Sequence, residues 1–354
     1  MKFVGVTKIQ DINGEVINIQ PQSNEVFIPT KITDFTSPSA GTASKIWDIR
    51  YDFDLGTATS VIPSGVTLFF NGGTLDNGVI DGNSTNIKPT SYKCFGDNLT
   101  FIPNFKMEYL TPIMFGAKFD NSADDFQAIQ KSIDFADLNN IRDIILPNGT
   151  SLYDGNLDLK GTVLKGQGGH LSKTVLKCIA TSGFAVELTV RSSGLENVRI
   201  DSGATRRSTG GVLDGGIFIS NGDIPLSTLS RTIMQDVFIT NQPGFGVYGA
   251  GNLELANWDK VTTQGCLSHP FIFDNGQMIG WTNLDERSFE ANFTGLRAFE
   301  CGGNVLIGWT DGVNASNLGY NLRFNSLEAL DCAWNSATRI SEYQVIVKSQ
   351  NCIL

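Results

Sequence analysis

The chain has 354 residues, 41% of them hydrophobic and 18% charged, and carries a formal net charge of -10. That charge excludes a phosphate-binding surface, and with it a nucleic-acid partner, and it removes any basic patch for a membrane face. No apolar run reaches the ~18 residues of a transmembrane helix, and the length suffices for two or three domains with a large core.

Composition points to many turns. The 38 glycines and 23 phenylalanines, against 11 prolines, suit tight turns around stacked apolar interiors better than long helices. Residues 1–45 form an N-terminal region with no helical period. Glu15-Val16-Ile17-Asn18-Ile19 and Glu25-Val26-Phe27-Ile28 alternate and are expected to be short strands, and Thr36–Gly41 a linker. The start Met1–Lys8 leads into no apolar stretch, so no signal peptide is expected.

Residues 46–110 form a small β module. The phrases Val61-Ile62-Pro63-Ser64-Gly65-Val66-Thr67-Leu68 and Asn77-Gly78-Val79-Ile80-Asp81-Gly82-Asn83 predict short strands broken by turns that tolerate positive φ. The first phrase is echoed by Ile144-Ile145-Leu146-Pro147-Asn148-Gly149-Thr150-Ser151-Leu152, a weak internal repeat.

One amphipathic helix is predicted over 124–138. Asp124 is expected to cap it, with Gln127 completing a capping box, and Phe126, Ile129, Ile133 and Ala136 share one face. In a strand-rich chain that face has a natural home over the open end of a solenoid, which would otherwise expose a sheet edge.

Downstream, a repeat emerges when the chain is aligned on cysteine. Trp258, Phe293 and Phe324 stand eight residues before Cys266, Cys301 and Cys332; Val261, Leu296 and Leu327 stand five before; Thr263, Ala298 and Ala329 three before. Val347 and Ser349 take the last two positions before Cys352. The cysteine intervals of 35, 31 and 20 residues fit solenoid coils with unequal loops. Between these inward columns, Thr262, Arg297, Glu328 and Lys348 should point outward as a solvated charge ladder. Val198–Asp201 and Val237–Thr240 look like earlier rungs. The six cysteines make no C-x-x-C pair and are expected to be buried small hydrophobes, not a zinc site or a disulfide framework.

The segment Phe115-Gly116-Ala117-Lys118-Phe119-Asp120, followed by Asp124-Asp125-Phe126-Gln127-Ala128-Ile129-Gln130, resembles the opening signature of pectate-lyase-like parallel β-helix proteins. Its motif positions here are Gly116, Asp120, Asp124, Asp125, Gln127 and Gln130. The family commonly has glycine where Phe119 stands and threonine where Phe126 stands. Ile145–Thr150 resembles the family's strand and P-x-G turn, and Val163–Gly169 its first-coil glycine segment. The resemblance implies an all-β fold: a right-handed parallel β-helix over 111–354, with one capping helix and a small N-terminal β region. Within that family the chain resembles the phage tail-spike or tail-fibre type. That likeness implies a virion protein made in the host cytoplasm, a homotrimer, contact with other tail proteins through the N-terminal region, and host cell-surface polysaccharide as partner. The superfamily also holds hydrolases and lyases, so a bacterial polysaccharide enzyme and a non-catalytic adhesive module stay open.

Glycan hydrolysis needs two carboxylates flanking the scissile bond, and a β-helix supplies such separations by stacking rungs at ~4.8 Å. Glu300 and Asp331, immediately before two ladder cysteines, are the candidate catalytic pair; Asp285 and Glu286 form a second acidic spot. Trp281, Trp309 and Trp334 are candidate glycan platforms, whereas Trp258 is assigned to the core. His170 and His269 are too few for a triad or a metal cluster, and Gly166–Gly169 lacks the residues of a phosphate loop, so no metal and no cofactor are expected. Arg199, Asp201, Arg231 and Asp236 come nearest to a lyase cluster, without a register that joins them.

Overall fold

The computed structural model describes residues 8–10, 16–18, 26–43, 45–167, 173–203, 214–220, 228–250, 252–274, 288–303, 305–309, 319–330, 332, 334–335, 340–341, 345–347 and 352–353. The chain divides into two compact units, Met1–Lys88 with Asp97–Lys106, and Pro89–Gly96 with Met107–Leu354.

The first unit is itself a small parallel solenoid. Val26–Phe27, Ile46–Ile49, Thr67–Phe70, Thr85–Ile87 and Phe105–Lys106 form one parallel sheet; Thr59–Val61, Val79–Asp81 and Thr100–Ile102 form a second; Phe53–Asp54 pairs with Leu75–Asp76. The glycines and asparagines of the sequence sit at its corners, with positive φ at Gly65, Gly72, Asn77, Gly78 and Asn83. The expected linker Thr36–Gly41 is largely exposed and is anchored on both sides. A short helix α1 (Thr33–Thr36) buries Phe35 against Trp47 and Phe53, with ring centroids 5.5 and 4.9 Å away, and the indole of Trp47 donates to Thr42 O at 3.0 Å. Lys8–Gln10 and Val16–Asn18 pair antiparallel, as the alternation around 16–18 predicts.

The second unit is a right-handed parallel β-helix whose coils have three faces. The first face runs through Asp143–Ile145, Val163–Lys165 and the leading parts of Gly194–Asp201, Ile233–Thr240 and Asn252–Gln264, then Ser288–Thr294 and Gly319–Phe324. The second begins with Gly149–Tyr153 and Thr174–Cys178, takes the trailing parts of the same long strands, and ends in Leu296–Phe299 and Leu327–Leu330. The third is Leu157–Asp158, Phe184–Leu188, Gly215–Ser220, Phe245–Ala250, Phe271–Asp274, Val305–Trp309 and Val345–Val347.

The cysteine-aligned repeat is the register. Trp258 pairs with Phe293 and Phe293 with Phe324; Thr263 pairs with Ala298 and Ala298 with Ala329. Trp258 and Phe293 are fully buried, with centroids 4.7 Å apart, and Phe324 continues the stack at 5.0 Å. Such aromatic contacts add about 0.5–1.5 kcal/mol each beyond area burial. Cys266, Cys301 and Cys332 are buried beside them, and the Cys301 thiol is pushed up to about 12, first by its hydrogen bond with Cys266. The fourth rung departs from expectation. Cys352 pairs with Leu322, not above Cys332, and Val347 pairs with Ile307 on the third face. The last interval of 20 residues is too short to return to the same position after the chain crosses that face.

The signature segment closes the start of the solenoid. Helix α2 (Phe126–Leu138) buries Ile129, Ile133 and Ala136 of the predicted face, leaves Phe126 half-buried, and adds Phe135, whose ring meets Phe95 and Phe115. It begins at Phe126 behind Asp125, so Asp124 is not its capping residue and Gln127 completes no capping box. Asp124 accepts instead from Phe126 N and Asp154 N, while Asp125, 1% exposed, accepts from Lys118 N and Phe119 N. The Asp125 carboxyl has bent back to hold the loop, which a sequence spacing does not reveal. Gln130 braces the helix on the first third-face strand, accepting from Asp158 N and donating to Asp158 O, both at 3.1 Å. Asp120 turns the loop by accepting from Ser122 N and Ala123 N, which together hold its carboxyl down at about 2. Gly116, at φ +103, ends the Pro112–Phe115 turn. Phe119 adopts φ +53, which explains why the family favours glycine there.

Candidate functional site

The corner between the first and second faces is built by one left-handed residue per coil. Asn197, Asp236, Lys260 and Gly295, with φ of +55, +51, +54 and +65, stack in register. Asn and Gly accept this conformation readily; for lysine it costs on the order of 1 kcal/mol. Each corner residue separates two outward side chains, one on each face. Over four successive coils they enclose an open groove of about 410 Å³, lined by Asp236, Asp259, Lys260, Thr262, Thr294, Gly295, Arg297 and Ser326. At ~4.8 Å per coil the groove runs about 14 Å along the solenoid axis.

Electrostatically the groove is mixed. Among the described residues the side chains of Asp236, Asp259 and Lys260 make no hydrogen bond or ion pair. Arg297 approaches Glu328 at 3.4 Å, with both side chains well exposed, so this bridge is weak and leaves the guanidinium open to a ligand. Arg297 and Glu328 stand outward as the predicted ladder has them, Lys348 lies outside the described residues, and Thr262 departs from the expectation. Thr262 is only 3% exposed, because it stands in the wall of the groove and not on an open face. The arrangement offers hydroxyls, carboxylates and cations in a line one coil apart, which can hydrogen-bond a chain of hydroxylated units. Among the described residues no group of three or more His, Cys, Asp or Glu is placed to hold a metal.

Of the sequence candidates, Asp236 lines the groove and the others fall elsewhere. Glu300 is exposed in the turn after Leu296–Phe299, at φ +50, with its carboxylate accepting from Gln264 Nε2 at 2.9 Å. Its intended partner Asp331 lies outside the described residues, as do Trp281, Asp285 and Glu286. Trp309 ends a third-face strand opposite Asp274, and Trp334 lies in a short antiparallel pair with Ile340–Ser341; their side chains are outside the description. Arg199 and Asp201 form an ion pair at 2.9 Å, joined by Thr240 and stacked on Phe238, so they make a closed outer-face cluster.

Sequence reasoning missed one carboxylate pair. Asp158 and Glu187 stand side by side in register on the third face. Asp158 accepts from the Thr189 hydroxyl at 2.7 Å, while Glu187 is pushed up, first by burial and then by Asp158. Two carboxyls whose surroundings differ in this way suit the acid and base halves of a proton-transfer pair. The signal was hidden because 158 and 187 share no motif; only the register of Leu157 on Val186 brings them together.

A pH prediction follows from Glu187. Its folded form holds the proton above the ordinary glutamate range. The associated stability is present below that range and is lost as pH rises through the raised folded value. Glu187→Gln removes the loss. The variant should match the wild type in acid and exceed it at neutral pH by about 0.5 kcal/mol, the scale of like charges facing across strands. Thermal melts across pH check this; equal pH profiles would contradict it.

The strand registers define a parallel β-helix protein with an axial, mixed-charge surface groove. No family model and no curated protein matches the chain. Among solved structures it is similar to the A-module of the mannuronan C-5 epimerase AlgE6 of Azotobacter vinelandii, with 19% identity, a TM-score of 0.43, and 69% of this chain and 68% of that one covered.

Proposed function

We propose that the chain is a bacteriophage tail-spike or tail-fibre subunit that holds host cell-surface polysaccharide along its β-helix. The observation that carries this reading is the groove lined by residues of four successive coils, because a linear polymer needs a linear row of polar contacts. The pectate-lyase-like signature of residues 115–136 standing behind a separate N-terminal region supports the tail-spike assignment. In this reading the protein works in the virion tail as a homotrimer and meets other tail proteins through its N-terminal region. The test is retention of capsular polysaccharides on the immobilised protein. A Lys260→Glu, Arg297→Glu variant should lose retention by tenfold or more, at about 1.4 kcal/mol per factor of ten, while Lys160→Ala, outside the groove lining, should not. Unchanged retention in the double variant would remove the groove from the account.

A second reading, polysaccharide hydrolysis, is favoured by the Asp158–Glu187 pair. It expects the retained polymer to shorten without the ultraviolet absorbance of an unsaturated uronate, and shortening to stop in Glu187→Gln. Shortening with that absorbance would indicate a lyase. Shortening that stops in Glu300→Gln but not in Glu187→Gln would return the chemistry to the Glu300 turn.

A further inference from the structure

We propose that the second unit carries a separate pocket for a neutral sugar at the start of its solenoid. The pocket measures about 490 Å³, within the usual range for small-molecule sites. Ile113, Ile145 and Pro147 supply its apolar walls, Tyr109 stands at the rim 40% exposed, and Ser91, Thr111 and Gln167 add polar groups. None of the residues lining it carries a carboxylate, ammonium, guanidinium or imidazole, in contrast to the corner groove.

Its frame is fixed before any ligand arrives. The main-chain N–H of Gln167 donates to the Thr174 hydroxyl at 3.0 Å, which donates to Pro147 O at 2.9 Å, so two rim residues are tied through one side chain. Ile145 N donates to Leu110 O at 2.7 Å, and Leu110 bridges Ile144, which locks the strand end against the Tyr109 segment. The Thr90 hydroxyl donates to Tyr92 O and shapes the crossing segment on the other side. The side chains of Ser91, Thr111 and Gln167, by contrast, make no hydrogen bond among the described residues.

This chemistry matches one ligand class. A pyranose presents a C–H face that lies on an aromatic ring and an edge of hydroxyls that both donate and accept. Ser and Thr hydroxyls and the Gln amide likewise do both. A sugar acid would find no cationic partner among the lining residues.

The test uses the full chain and four probes: maltotriose, cellotriose and N-acetylchitotriose as neutral trisaccharides, and a galacturonate trimer as the charged one. Saturation-transfer NMR and calorimetric titration should find at least one neutral probe bound. Tyr109→Ala should weaken it about tenfold, the loss of one stacking contact, and Tyr109→Trp should preserve it. Gln167→Ala should weaken it several-fold. Arg297→Glu should leave it unchanged, so failure of the groove reading and of this one are separable. No bound neutral probe, binding indifferent to Tyr109→Ala in a variant that melts like the wild type, or equal binding of the galacturonate trimer would overturn the proposal.

Discussion

Trp258→Ala should lower unfolding stability by about 4 kcal/mol, the usual scale for deleting a fully buried aromatic. The indole is fully buried, lies 4.7 Å from Phe293 and 5.6 Å from Phe273, and donates from Nε1 to the Thr232 hydroxyl at 3.3 Å. Met234 and Phe293 stack on Trp258 from the preceding and following coils and Phe273 faces it from the third face, so they cannot close the gap without changing the rung spacing set by the backbone ladder. The lost hydroxyl partner adds to the cost. Because each coil contacts mainly its neighbours, the loss should be local first. Hydrogen exchange should rise most in the coils around 233–240 and 288–299, and least in the first unit. Denaturant melts followed by exchange would check both parts. A loss below about 1 kcal/mol would mean that the aromatic column does not hold the coils together.

Gly149→Ala should cost about 3–5 kcal/mol, combining backbone strain with overpacking. Gly149 has φ +127, and a Cβ there would sit 2.3 Å from Phe119 O and 3.1 Å from Phe119 Cβ. The backbone cannot retreat easily, because Gly149 N donates to Lys173 O at 2.7 Å and Thr150 N to Phe119 O at 3.1 Å. These bonds seat the first coil against the signature loop. Gly265→Asn is the matched comparison. Gly265 also has positive φ, but the nearest atom to an added Cβ is the Asn241 side-chain oxygen at 3.3 Å, and its stacked neighbours Asn241 and Glu300 already hold side chains at φ +53 and +50. That variant should stay within about 1 kcal/mol of the wild type. Melting both proteins side by side decides between a steric demand at Gly149 and a general glycine effect.

Much of the solenoid was legible because its signal is one-dimensional. Trp258, Phe293 and Phe324 repeat at fixed distances from cysteine, and rungs in a parallel sheet stack residues of equal offset, so sequence spacing becomes spatial register. The same logic failed at Cys352, because its interval of 20 residues takes the chain past the third face only as far as the first, short of the cysteine position. The helix face was legible from its period, but not its start, because Asp125 gives its carboxylate to the Lys118–Phe119 backbone. In the first unit, strands of two to four residues carry too little alternation to reveal that Val26, Ile46, Thr67 and Asn86 lie side by side.

The candidate site was less legible. The groove depends on left-handed corners at Asp236 and Lys260, and neither residue announces that conformation as Gly295 does. Asp158 and Glu187 are drawn together across a coil by pairing alone. Glu300 and Asp331 stand out in the sequence only because they precede the ladder cysteines.

The central claim is that polysaccharide lies along the corner groove. Hydroxyl-radical footprinting of the protein with and without a retained capsular polysaccharide tests it most directly. The account predicts protection in four short patches, around 236, 259–262, 294–297 and 326, one from each successive coil. Protection absent from those patches, with the polymer still bound, would contradict it.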